Sequence, residues 1–353
     1  MATLTKAHDE WSKRPADERF SSVQDMHDRA LYIRYASRTT TPTAINKLRA
    51  IVDGDNVRLQ GSSGATVALN HWSFGQLATR AEAPASYVRN LPADLSAACL
   101  NDGLARAEGD GQLLINSDTM TARAITSPKY SRIWNSEITS RLLDLEASGP
   151  WQPAPAAFDG SRGLYLGDRD MFAFMVDNER RIFESLPGGG LGRGFFLWNS
   201  EVGAASVGVC TFLYEYVCGN HRVWGASEVK ELRIRHVGGD LDNRAFGKFR
   251  AELTEYANSS AADDELRIQR MRDKTIGATK QDVIDAIFSR FPKLGKRTTI
   301  AAADLAEVRA DWYGNPRSVW GIAGAITEIA RDMPNASDRD ELNRIGSKVM
   351  MAF

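Results

Sequence analysis

The sequence predicts an α+β fold: a central, mostly antiparallel sheet with flanking helices and a helical C-terminal third. Strand-like apolar runs crowd the middle of the chain, at 163–176, 194–202 and 206–218. Helical periodicity dominates from about residue 243 onward. The two patterns come in blocks and do not alternate, which favours an α+β arrangement over a parallel βαβ one.

Taken in order, residues 1–45 are polar and rich in Arg, Asp, Ser and Thr, and read as an N-terminal arm or a marginal helix leading into a loop. Residues 46–150 form a mixed α+β region. In it, Val57, Leu59, Val67 and Leu69 flank a GSSG turn as a hairpin. A helix is expected from His71 to about Ala81, and a second, opened by Pro84, runs into Arg89. Leu113–Asn116 and Thr121–Ile125 suggest another hairpin. A helix from about Ile133 to Leu145 follows, with Ile138, Leu142 and Leu145 at helical spacing. PWQPAP at 150–155 reads as a linker that opens a β-rich region over 151–242. There Gly163–Val176 reads as one strand bent near Gly167. Its later part is apolar on both faces, as in sheets covered on both sides. Asn220–Trp224 suggests a further strand. Residues 243–353 read as helices, with Phe249, Leu253 and Tyr256 on one face, Val283, Ile287 and Phe288 on another, and Leu305, Val308 and Trp312 on a third.

The 353 residues are 43% hydrophobic with a formal net charge of −1, enough for a substantial core and too neutral for a bulk grip on DNA or membranes. Cys99, Cys210 and Cys218 follow no disulfide framework. With no apolar leader and no run long enough to cross a bilayer, the expectation is a cytoplasmic protein without a membrane partner.

Several motifs suggest chemistry. Gly190, Gly192 and Gly194 form a glycine run carrying Arg193, but the strand-like FFLWNSEVG after it is the wrong context for a phosphate loop. It reads instead as a mobile loop able to clasp a nucleic-acid backbone. Asp168, Asp170 and Glu201 are candidate ligands for a divalent metal, the first two on one side of a regular strand. Cys210, Cys218, His221 and His236 match no common zinc spacing, so no cofactor or metal is assigned. QLATRAEAPASYVRNL at 76–91 has the small and apolar positions of a helix-turn-helix, with Glu82 where the turn usually has glycine. Basic and aromatic residues interleave twice: at Arg123, Lys129, Tyr130, Arg132 and Trp134, and at Arg222, Trp224, Lys230, Arg233, Arg235 and His236. Rings stack on unpaired bases while cations hold phosphates, so this mixture suits single strands. A basic run from Arg267 to Arg297 reads as helix surface.

EWSKRPADERF, QLATRAEAPASYV, RAITSPKYSRIWN, LYLGDRDMF, RGFFLWNSEVG, VCGNHRVWGA and NPRSVWG together resemble the phage/plasmid-like protein family, over most of the chain from about Glu10. That family is defined by a domain of unknown function. The resemblance implies a mobile-element setting and no specific activity.

The expected function is therefore binding of single-stranded nucleic acid, with strand annealing in recombination by a homo-oligomer as its finer form. The expected contacts are Arg123, Lys129, Tyr130, Arg132, Trp134, Arg193, Arg222, Lys230, Arg233 and Arg235, on an outward face of the middle sheet. The alternatives are a metal-dependent nuclease using Asp168, Asp170 and Glu201, and a non-enzymatic protein that binds a host factor.

Overall fold

The computed structural model describes residues 15–62, 64–154, 163–182, 190–215, 222–225, 232–234, 247–248, 251–252, 255–256, 262–331, 342, 345–346 and 348–353. The fold is α+β, built on two sheets and a set of C-terminal helices.

After β1 (Arg19–Phe20), helix α1 (Val23–Tyr35) starts where Ser22 accepts a hydrogen bond from the Asp25 amide at 3.0 Å. Val23, Met26 and Ala30 recur at helical spacing and are fully buried. This corrects the expected polar arm: the described part of 1–45 supplies core residues and the first strand of the central sheet.

The N-terminal sheet comprises β2 (Ser37–Thr39), β3 (Thr43–Ala44), β4 (Arg49–Asp53), β5 (Asn56–Gln60), β6 (Thr66–Leu69), β7 (Asp110–Asn116) and β8 (Thr121–Thr126). Its order is β2-β7-β8-β6-β5-β4, with β3 also on β7 and a parallel pairing only between β6 and β8. Helices α2 (His71–Arg80), α3 (Ala85–Arg89) and α4 (Ala93–Arg106) pack on it through Leu77, Val88, Leu100 and Leu104 against Leu59, Val67 and Leu113. Glu82 adopts φ 54° in the α2–α3 turn, the left-handed state that glycine usually supplies. Gly103 lies so close to that turn that a Cβ there would meet the Ala81 carbonyl oxygen at 1.9 Å. Helix α3 has only five residues, about 7.5 Å of helix. That is too short for a groove-reading second helix.

After α5 (Asn135–Ser148), the central sheet adds β9 (Trp151–Pro153), β10 (Leu164–Leu166), β11 (Met171–Ile182), β12 (Leu191–Asn199), β13 (Val207–Glu215), β14 (Arg222–Gly225) and β15 (Leu232–Ile234). The order β1-β10-β11-β12-β13-β14 is antiparallel throughout, with β9 on β11 and β15 on β13. Three expectations change here. The PWQPAP linker contains an edge strand. The bent strand is a hairpin that reverses through Gly167–Asp170. The strand read at 194–202 begins earlier, at Leu191, and takes in Gly192. One face of the sheet packs under α1 and α5 through Met171, Met175, Phe195 and Leu197. The other carries Tyr165, Phe172, Phe174, Phe196 and Trp198, also buried, with Phe196 and Trp198 stacked at 4.8 Å. Trp198 lies flat on Gly208, where a Cβ would come within 2.1 Å of its ring.

The C-terminal helices are α6 (Ala262–Asp273), α7 (Lys280–Arg290), α8 (Lys296–Val308), α9 (Ala310–Tyr313) and α10 (Val319–Arg331). Their core, including Ile287, Ala303, Trp320, Ala323 and Ile326, also takes in Ile182 and Leu191 from the end of the β11–β12 pair. Val308, expected on an inward face, is 76% exposed. Among the described residues, no helix is long and apolar enough to cross a membrane.

Candidate nucleic-acid interface

The first basic–aromatic group is assembled around the turn that follows β12. Asn199, Ser200 and Glu201 are buried there, and this turn contacts the N-terminal sheet and its helices. One Glu201 carboxylate oxygen accepts from the Arg123 guanidinium at 2.8 Å, the other from the Asn135 amide at 2.8 Å. The Glu201 carbonyl accepts from Arg132 Nε at 2.8 Å, and the Ser200 carbonyl from the Tyr130 hydroxyl at 2.9 Å. Trp72 Nε1 and Gln76 Nε2 both donate to the Val202 carbonyl at 2.9 Å. Asn199 donates to the Ile133 carbonyl and to the Asn135 side chain. Burial pushes the Tyr130 phenol well above its ordinary pKa and lowers that of the Arg132 guanidinium.

Arg123 is thus an internal cation, 7% exposed, tied to Glu201 and to Ser37 Oγ. Arg193 is likewise buried. It lies on the α1/α5 side of β12 with its guanidinium 4.3 Å from the Tyr256 ring centre. Strand alternation explains this: Leu191, Arg193, Phe195 and Leu197 project to one side. Neither arginine lines an outward groove, which corrects that expectation. Arg222 and Arg233 have backbone positions in β14 and β15, but their side chains lie outside what is described, as do Lys230 and Arg235 entirely.

Tyr130, Arg132 and Trp134 do come together near the surface. The Arg132 guanidinium sits 5.6 Å from the Tyr130 ring centre and 5.4 Å from that of Trp134. Arg34 approaches the same indole at 5.5 Å. The result is a ladder, Arg34–Trp134–Arg132–Tyr130, whose members are all partly exposed. Arg132 also donates to Thr39 Oγ1 at 3.0 Å, tying the ladder to β2. At the junction of α1 and β2 stand Tyr35, 81% exposed, and the exposed Arg38. Lys129 is exposed as well. Nearby acids are engaged: Glu137 pairs with Arg34 at 3.0 Å, and Asp118 accepts from the Tyr32 hydroxyl at 2.9 Å. Sequence reading missed Arg34, Tyr35 and Arg38. The same interleaved signal is present in LYIRYASR, inside the stretch read as an arm.

The acidic trio is not assembled as a metal site. Asp168 is exposed in the β10–β11 turn, Asp170 faces Arg169 at 3.7 Å, and both Glu201 oxygens are engaged. Among the described residues, no group of three or more His, Cys, Asp or Glu is placed to hold a metal ion. A cleft of about 860 Å³ opens between α2, the end of α4 and Gly203. Its rim charges, Arg80 and Arg106 against Glu82 and Glu108, balance, and Gln76 spends both ends of its amide inside the protein.

Comparison with protein-family models, with curated proteins and with solved structures found no match to this chain.

Proposed function

We propose that this chain binds single-stranded nucleic acid, at the face formed by the end of α1, β2 and residues 129–134. The observation that carries the reading is the guanidinium–ring ladder, open to solvent at its Arg34 end, together with Tyr35, the next residue along α1 and the most exposed large apolar side chain described. Rings of this kind accept any base by stacking, while the exposed Lys129 is free to meet a phosphate. Strand annealing by a homo-oligomer is the finer form of the proposal.

The test is fluorescence anisotropy with a labelled 30-nucleotide strand, in chelator, across a salt series. Tyr35→Ala is expected to weaken binding by roughly 1–3 kcal/mol. Lys129→Ala is expected to lower the salt slope by about 0.7, the value of one lost phosphate contact. A wild-type chain without affinity, or variants with unchanged affinity and slope, would overturn the reading.

A further inference from the structure

The basic run that ends at Arg297 is not uniform helix surface. Helices α7 and α8 are joined by a tight corner through Pro292–Leu294, and the corner concentrates charge of one sign. Arg290, Lys293, Lys296 and Arg297 are all exposed, and no Asp or Glu occurs from Ala286 to Ala303. None of the four makes an ion pair with a described residue. Arg290 only lies against the Phe353 ring, at 5.1 Å.

Of the acids of this helix pair, Asp285 lies midway along α7, where Gln281 donates to it at 3.0 Å, and Asp282, Asp304 and Glu307 are at the other end. Lys280 bridges Asp304 and Glu307 there, the latter at 2.9 Å. From Lys296 to Asp304 the helix rises roughly 12 Å. That exceeds the Debye length of about 10 Å at 0.1 M salt, so the far acids do little to neutralise the corner. The buried Leu294 pins the corner to the helical core, so the four cations are presented on a fixed frame. Two of them fall in the first turn of α8, where acids are normally preferred and where no side chain caps the helix. The charge is therefore uncompensated within the described chain.

We propose that the α7–α8 corner grips the phosphodiester backbone of nucleic acid, as a second contact independent of base identity. The inference rests on the nucleic-acid reading above and gives the C-terminal helices a role in it: the ladder takes bases, and the corner takes phosphates. Because the corner reads only charge, it engages duplex as well as single strands.

The experiment uses the full chain with a labelled 30-nucleotide strand and a duplex of equal length. Lys296→Glu with Arg297→Glu is compared with a control of equal charge change at and just beyond the end of α6, Arg270→Glu with Lys274→Glu. Lys296→Gln with Arg297→Gln guards against a folding defect, checked by circular dichroism. The corner variants are expected to bind both probes about tenfold more weakly than the control at 0.1 M salt, with the slope reduced by about 0.7 per lost contact on the single strand. Corner variants equal to the control overturn this inference while leaving the ladder reading intact. Loss of binding in the corner variants, with Tyr35→Ala silent, supports the corner and sinks the ladder. A wild-type chain that binds neither probe, but binds vesicles containing phosphatidylserine through the corner, overturns both.

Discussion

Glu201 is the residue on which the turn after β12 depends. It is 2% exposed, and its two carboxylate oxygens and its carbonyl serve three different partners: Arg123, the Asn135 amide and Arg132. Glu201→Ala leaves the Arg123 guanidinium buried without its carboxylate and the Asn135 amide without an acceptor. Breaking one side of such a pair costs about 3–5 kcal/mol. Glu201→Leu combined with Arg123→Met is expected to cost less than the sum of the single changes, because no buried charge is then left over. Urea denaturation of the four proteins checks this. Additive losses would mean that the two side chains do not depend on each other. The pair also explains why Arg123 was misplaced in reading the sequence: RAITSPKYSRIW shows its cations clearly but not the carboxylate 78 residues away that takes one of them.

At the scale of elements, legibility followed local pattern. The β5–β6 and β7–β8 hairpins and helices α2, α3, α5 and α7 were readable because period and turn residues agree there. Gly192, outside the strand read at 194–202, was not, because glycine is weak in strands and only pairing with β13 on one side and β11 on the other makes it part of one. In α1 the surrounding polar residues hid both the Ser22 cap and the Val23–Met26–Ala30 stripe. The protection of β4 could not be read at all. This strand is the last of its sheet, and the Asn101 side chain on α4 satisfies both backbone groups of Ala50, donating to its carbonyl at 2.7 Å and accepting from its amide at 2.8 Å. The amide thus imitates a neighbouring strand. Asn101→Ala is expected to cost about 1–3 kcal/mol. It also opens an edge bearing Val52, which is 50% exposed, to pairing with another copy. Light scattering on heating should show earlier aggregation, and an unchanged onset would deny the edge this role.

Across the whole molecule, the β11–β12 pair is the common member. Near Asn199 it leads into the turn held by Trp72, Gln76 and Arg123 of the N-terminal region. At its opposite end, Ile182 and Leu191 belong to the core of the C-terminal helices. Nine residues of β12 span about 30 Å between these attachments. If the strands join the regions mechanically, a cavity at one end should be felt by the elements docked there and not by those at the other. Leu191→Ala removes a fully buried side chain, at an expected cost of about 2–5 kcal/mol. Hydrogen exchange should then quicken in α8 and α10 as well as in β12, because Leu191 packs in the core those helices share. Leu197→Ala, equally buried but packed under α1 and α5, should quicken α1 and α5 and spare α8 and α10. Were Leu191→Ala to leave α8 and α10 unchanged, the C-terminal helices would be a separately folded unit. The corner and the ladder would then have to engage a strand without a rigid link between them.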